Sequence, residues 1–432
     1  MNYNEALEWL ELLRLEKKSE LKLDRIKQLL ELLGNPQESF KSVHIAGTSG
    51  KGSTAYFTAS ILQEAGYKVG LHVSPYLQSV NEYISVNHEY ITNLELAELA
   101  TELSVIYEEN QWPNGMPTRF ETLVAMALVY FARKEVNFAV VETGLGGEVD
   151  ATNILNPLIS IITNISLDHP AALGRTIAQI AQNKAGIIKR ETPVIVGNVE
   201  GEALEIIEKK AAELDAPVVK VEKNKLIEMS IDSIKFRAEF GNKSIELEAR
   251  TPGEFQLENS ALAIKACELL STRGYEIDEA ALVNGFRNVS IPCRFELVQA
   301  NPAIILDGAH NAAKAQTLAN TFKLLNNANL NAKPDLLVGI LKSKDAEAII
   351  SHLGQIATSF TFIQPQLGKT YRSVQELRKI TDGQGIDSEV IGGSEEELFE
   401  FVKNYKGKLL CITGSLYLAG MARNYWFPQD NG

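Results

Sequence analysis

Short apolar runs alternate along this chain with longer stretches in which an apolar residue recurs every third or fourth position. Ile26, Leu29, Leu30 and Leu33 keep the spacing of one buried helix face, and Gly34 followed by Asn35-Pro36 stops it. The run Val43–Ala46 then predicts a buried strand, followed by a glycine-rich turn. A helix is expected over about Thr54–Ala65, ended by Gly66, and a strand over Val69–Val73. A strand, turn, helix and strand in that order predict a parallel sheet. Phe138–Val141, Leu158–Thr163 and Val194–Val196 add strands to it, with helices between. Around 228–250 the period drops to two: 233–240 and 244–249 flank Gly241-Asn242, which predicts an antiparallel hairpin. A helix follows from about Glu258 to Arg273. After Ser290-Ile291-Pro292 the alternation starts afresh, with strands expected at Ala303–Leu306, Leu336–Ile340, Phe360–Ile363 and Leu409–Thr413. The expectation is two α/β domains, residues 1–290 and 291–432.

A chain of 432 residues fits two or three domains. Its net charge of −13 argues against a nucleic-acid partner, which calls for a basic face. Cys267, Cys293 and Cys411 are widely spaced, with no Cys-x-x-Cys pair, so neither a disulfide framework nor a zinc site is expected. No stretch reaches the roughly 18 apolar residues of a membrane span. The first 20 residues are amphipathic and acidic, without the features of a signal peptide. A cytoplasmic monomer acting on small molecules is expected.

The strongest local signal is Gly47-Thr48-Ser49-Gly50-Lys51-Gly52-Ser53-Thr54, between the first strand and its helix. Glycines let successive backbone N–H groups point at one anion, and the helix start adds partial positive charge. Lys51 supplies a full charge for phosphates, and Ser53 or Thr54 a hydroxyl for phosphate or metal. The spacing is not the strict G-x-x-x-x-G-K-[ST], which needs glycine at Ile45 and a hydroxyl at Gly52.

Phosphoryl transfer calls for a divalent cation in oxygen-rich surroundings. Ser74, Glu142 and His169 follow three predicted strands, at the sheet edge where ligands bind in open α/β folds. Lys184 stands at i+7 and i+4 from Ile177 and Ile180, on the apolar face of its helix. A buried ammonium is costly unless it is paired or chemically changed.

Taken in order, GTSGKGST, SPYL, FETL, ETGLGGEVDATN, NISLDHPAALG, NKAGII, LDGAHN and GSLYL resemble the folylpolyglutamate synthase/dihydrofolate synthase family of the Mur ligase superfamily, from about Leu23 to Gly420. The resemblance implies an α/β architecture: a P-loop parallel-sheet ATPase domain and a smaller Rossmann-like C-terminal domain, with the active site between them. It implies ATP on the 47–54 loop, with Asn259, Arg294 and Asp307 as further nucleotide contacts. It implies one or two Mg²⁺ ions on Ser74, Glu142 and His169, and a carbamylated Lys184. His310 joins Lys51, Lys184 and Asp307 as a catalytic candidate. Phe120, Thr122, Asp150 and Ala151 match the pterin side, and Ser415 is a candidate for L-glutamate. The chain departs from the family's usual residues at Tyr76, Tyr83, Glu148, Asn183, Cys293, Phe255 and Ala312.

The chemistry implied is attack of a carboxylate on the γ-phosphate of ATP, giving an acyl phosphate that the amine of glutamate then opens. His310 and Asp307 are expected to position phosphate or the incoming amine. Three other readings are an amide ligase for a non-folate carboxylate, an inactive nucleotide-binding regulator, and a P-loop hydrolase coupling ATP to motion. Only about 40 residues precede the phosphate loop, too few for the separate UDP-binding domain of cell-wall Mur ligases. The intact metal and phosphate residues oppose the regulator.

Overall fold

The computed structural model describes residues 1–15, 22–327 and 333–428. Part of the amphipathic N-terminal stretch and the last four residues of the expected second domain therefore lie outside the described residues. Two helices, Tyr3–Leu15 and Asp24–Leu32, precede the first strand, and the second buries Ile26, Leu29 and Leu30 as their spacing predicts.

The first sheet has eight strands: β1 (Lys41–Ala46), β2 (Val69–His72), β3 (Ser85–Val86), β4 (Glu89–Tyr90), β5 (Phe138–Glu142), β6 (Ile159–Asn164), β7 (Val194–Asn198) and β8 (Val218–Lys220), in the order β4-β3-β2-β5-β1-β6-β7-β8. From β2 to β8 all neighbours are parallel; β3 and β4 add an antiparallel edge. The central strands are buried on both faces, which is why they read as continuous apolar runs. β1 leads to β2 on one side while β6 lies on the other, so the carboxyl end of β1 is a topological switch point.

The alternating segment forms β9 (Lys225–Met229), β10 (Ile234–Phe240) and β11 (Lys243–Ala249), an antiparallel sheet with Gly241 (φ +59°) in the turn. The last sheet holds β12 (Glu296–Ala300), β13 (Ala303–Leu306), β14 (Asp335–Val338), β15 (Ser359–Phe362), β16 (Ser388–Val390) and β17 (Leu409–Thr413), in the order β12-β13-β17-β14-β15-β16. It is parallel except for the β12–β13 pair.

Two boundaries differ instructively from the pattern. The helix after β1 begins at Lys51, three residues before the expected Thr54, because Gly50 takes a left-handed conformation (φ +83°) and turns the chain straight into the helix. The helix expected from Glu258 begins at Phe255 and runs to Ser271. The short strands β3, β4 and β16, two or three residues each, are too short to show a period.

Candidate functional site

The loop after β1 is held from one side by the end of β6. Thr48 donates its N–H to the Asn164 carbonyl (3.0 Å), and Ser49 donates its N–H to the Asn164 side-chain oxygen (2.9 Å). Thr163 donates its hydroxyl to the Ser49 carbonyl (2.6 Å). A Cβ at Gly47 would overlap the Thr163 hydroxyl, and one at Gly50 the Asn259 side chain, so both positions demand glycine on space as well as on φ. The Thr48 and Ser49 amides are thus spoken for. The free donors belong to the start of the Lys51–Glu64 helix, which has no side-chain cap. That is where the backbone and dipole favour an anion.

Glu142, the last residue of β5, is buried. It stands 3.5 Å from Lys51 Nζ and accepts the Ser74 N–H at 3.1 Å. Burial pushes its carboxyl up, opposed by Lys51, the Ser74 amide and Arg294. Lys51, Ser74 and Glu142 therefore meet at one edge, as the strand ends predict. Lys184 joins them from the helix Ile177–Ala185: it is 3% exposed and donates to the Gly47 carbonyl at 2.6 Å. Among the described residues no carboxylate comes within ion-pair distance of it. Burial, then the nearby Lys51, bring its amine down to about 7.

His169 is placed differently. It sits at φ +47° before the short helix Pro170–Leu173, its side chain is 56% exposed, and its Nε2 lies 3.7 Å from an Asp168 carboxylate oxygen. Among the described residues no three His, Cys, Asp or Glu side chains are grouped to hold a metal. Mg²⁺ needs less, since it keeps several waters and takes one or two carboxylates. The Glu142 carboxylate with the neighbouring Ser74 and Ser53 hydroxyls fits that demand. The Thr54 and Thr143 hydroxyls, each beside these residues in the chain, are buried without a protein partner.

Two cavities meet here. A small one is lined by Ser53, Ser74, Glu142 and Arg294. A larger one, about 440 Å³, runs from Gly50 and Ser53 past Asn259 and Arg294 to Asp307 and Lys314. Its volume suits a nucleotide-sized ligand. Asn259 donates to Gln256 (2.9 Å) on the helix Phe255–Ser271. Arg294 donates to the Cys293 carbonyl at 3.1 Å.

The residues after β13 are largely engaged with their own backbone. Asp307 is buried and accepts N–H groups from Phe295 (2.9 Å) and Ala309 (2.8 Å); burial pushes its carboxyl up. His310 Nδ1 lies 2.8 Å from the Gly308 carbonyl, so that nitrogen carries the proton. Its Nε2 is then an acceptor, 3.4 Å from Lys314 Nζ. Burial and Lys314 bring the imidazole down to about 3, so it stays neutral. Both ring nitrogens are occupied, which leaves the expected positioning of phosphate or amine without a free donor. Ser415, buried, caps the helix Leu416–Arg423 by accepting the Tyr417 N–H and lies 3.0 Å from the Tyr371 hydroxyl.

The acceptor-side candidates are mostly closed as well. Thr122 is buried, donates to the Thr118 carbonyl (2.9 Å), and so accepts from the Tyr107 hydroxyl (2.7 Å). Asp150 is buried and accepts the Leu145 and Thr152 N–H groups and the Thr152 hydroxyl. Ala151 is buried behind it. Phe120 is half-buried against Gly144 and 6.2 Å from the His72 ring. Tyr76 and Tyr83, the departures from the family, pack on each other at 5.7 Å, with the Arg119 guanidinium 5.8 Å over Tyr76. Tyr83 thus builds an aromatic wall and offers no charge. Asn183 lies against Gly146, and Glu148 against Gly186.

Two site residues escaped the sequence reading. Asn164 ends β6 one residue beyond the apolar run, so its period marked it as loop. Lys314 lies in the first turn of a helix, where a lone lysine carries no signal; only the cavity reveals it.

Residues 45–267, more than half of the chain, match the model of the Mur ligase middle domain. The chain is 36% identical over 410 residues to the dihydrofolate synthase/folylpolyglutamate synthase of Bacillus subtilis, covering 91% of this chain and 92% of that one. Its fold is similar to folylpolyglutamate synthase from Thermotoga maritima, with a TM-score of 0.86 and 32% identity over 98% of this chain and 96% of that one. An FPGS–AMPPCP–folate complex is similar at a TM-score of 0.82 and 29% identity, over 98% and 99% of the two chains.

Proposed function

The chain belongs to the folylpolyglutamate synthase/dihydrofolate synthase family of Mur ligases, and from that premise we propose the part each residue takes in the reaction. The enzyme is an ATP-dependent carboxylate–amine ligase that adds L-glutamate to a folate, to dihydropteroate, or to both, through an acyl phosphate. The observation that carries the site assignment is the buried Glu142 carboxylate, flanked by Lys51 and Ser74 in the small cavity that joins the larger one at Ser53 and Arg294.

A carboxylate does not react with an amine unaided, because hydroxide leaves poorly. Its attack on the γ-phosphate replaces that leaving group with phosphate. Charge builds on the phosphoryl oxygens as the bond to ADP breaks. The Lys51 ammonium and the uncapped N–H groups of the Lys51–Glu64 helix are in place to take it up without reorganising. Glu142, Ser74 and Ser53 would hold Mg²⁺, which supplies further charge neutralisation at those oxygens. His169, exposed beside Asp168, would complete that set only by turning in when the ion binds, and His169→Ala should then raise the Mg²⁺ needed for half-maximal rate. Arg294 bridges both cavities and keeps the phosphate chain in line. The site lies between the two parallel sheets, divided near residue 290, and closing them on the ligands keeps water from the acyl phosphate.

Lys184 is suited to carbamylation. Its neutral amine, abundant near pH 7, adds to CO₂ and loses one proton, leaving a carboxylate in place of an unpaired buried ammonium. We place the enzyme in the cytoplasm, as a monomer acting on small molecules. Three buried free cysteines support a reducing compartment, and no described helix is long and apolar enough to cross a membrane.

The test is ADP release with dihydropteroate, tetrahydrofolate and a non-pterin carboxylate, each with and without glutamate. Release that requires both a pterin acceptor and glutamate is expected. Release with ATP alone would point to a hydrolase, and release only with the non-pterin acceptor would move the enzyme to another Mur-type substrate.

A further inference from the structure

Lys314 sits in the first turn of the helix Ala312–Asn327 and lines the larger cavity together with Ser49, Gly50 and Ser53 of the phosphate loop. Its ammonium has three donors. One is directed to His310 Nε2 at 3.4 Å, and among the described residues no carboxylate lies within ion-pair distance. Asp307, seven residues earlier, has both oxygens turned to backbone amides. Arg294 and Lys51 are close enough that, after burial, they are the chief causes holding the Lys314 amine down to about 7. Arg294 and Lys314 thus line one cavity, with Lys51 close behind its loop; Glu254, Glu258 and Asp307 also line it, but among the described residues neither Arg294 nor Lys314 has a carboxylate within ion-pair distance. Such a group is stabilised by a polyanion arriving between its members.

The two cavities fix where along the polyanion Lys314 acts. Ser53 and Arg294 line both, so they mark the junction. Glu142 and Ser74 lie on the small side, where the reacting phosphate belongs. Lys314, Asp307 and Asn259 lie on the large side. We propose that Lys314 is a nucleotide-binding residue that takes the α- and β-phosphates of ATP and ADP from the C-terminal sheet, with His310 acting as the positioning residue that aims its ammonium. This rests on the reading of the larger cavity as the nucleotide site. It also gives His310 a role consistent with its occupied nitrogens. As the cavity walls come from both sheets, the Lys314 contact ties nucleotide occupancy to their approach.

Calorimetric titration of the full chain with ADP and with AMPPCP tests it, on wild type, Lys314→Met and Lys314→Arg, with thermal unfolding alongside. Loss of one charge-assisted contact should weaken both ligands by about 10- to 100-fold in Lys314→Met. Lys314→Arg should recover most of that affinity, and the melting temperature without ligand should be unchanged or raised, because an uncompensated cation has been removed. In turnover, the rise should fall on KM for ATP and leave kcat nearly unchanged. Unchanged ADP affinity in Lys314→Met overturns the proposal. So does a loss confined to AMPPCP, which moves the residue to the γ-phosphate, or a loss with a lowered melting temperature that Lys314→Arg does not repair, which makes it packing. If wild type binds neither ligand, the nucleotide reading beneath it fails instead.

Discussion

Two strand ends face the larger cavity, one after β1 and one after β13, and they spend their polar groups in opposite ways. After β1 the helix start is left uncapped, and Lys51 faces Glu142 at the end of the neighbouring β5. After β13 the carboxylate of Asp307 ties down Phe295 and Ala309, and His310 is locked between Gly308 and Lys314. Each region also holds a lysine with no carboxylate in ion-pair distance among the described residues. Lys184 is sealed in and, among the described residues, hydrogen-bonds only the Gly47 carbonyl, so the proposed carbamylation is the kind of relief that suits it. Lys314 faces an open cavity, so relief can come from a ligand. A motif therefore tells which residues gather at a site. Whether a given side chain is free to act depends on what its own backbone already demands of it.

The largest effect should come from the first region. Lys51→Ala removes the charge facing the transferring phosphoryl group, and kcat/KM should fall by about 10²- to 10³-fold or more. A steady-state assay near wild-type rate would show that the helix start suffices alone.

In the second region the main cost should appear as stability. Asp307→Asn turns an amide N–H toward a backbone N–H of Phe295 or Ala309, leaving a buried donor unmet at about 1–3 kcal/mol. Urea unfolding measures it. A collapse of kcat with unchanged stability would mean that Asp307 acts on the substrate, and the contrast would dissolve.

The Lys184 burden gives a pH signature. Its amine titrates near 7 when folded against about 10.4 in an unfolded chain. Between those values the unfolded state binds the extra proton, so this group makes stability rise with pH from about 7 to about 10, and its burden is full and constant below 7. The difference in unfolding free energy between wild type and Lys184→Met should therefore follow that slope when CO₂ is excluded. A flat difference would mean that the ammonium is already compensated.

The smallest effect is expected at His310. His310→Gln keeps an acceptor for Lys314, so kcat/KM should drop only a few-fold, with the pH–rate profile between 6 and 8 unmoved because the ring is neutral throughout. Loss of a titration limb in that range would make His310 an acid or base after all.

The positions of the main strands along the chain, the glycine-rich loop and the strand-end position of Glu142 were legible in the sequence, because β-branched and apolar runs, glycines and a lone carboxylate are local signals; the order of strands across each sheet was not. Tyr83 was legible only as a departure; its place in an aromatic wall with Tyr76 depends on the fold. Local patterning determined the sheets and the anion loop, since periodicity and backbone freedom act over a few residues. The tertiary structure alone decided that Thr122 and Asp150 are closed, that both His310 nitrogens are occupied and that Lys314 faces the cavity with no carboxylate in ion-pair distance among the described residues. Those outcomes depend on hydrogen-bond partners and charges brought together from distant parts of the chain.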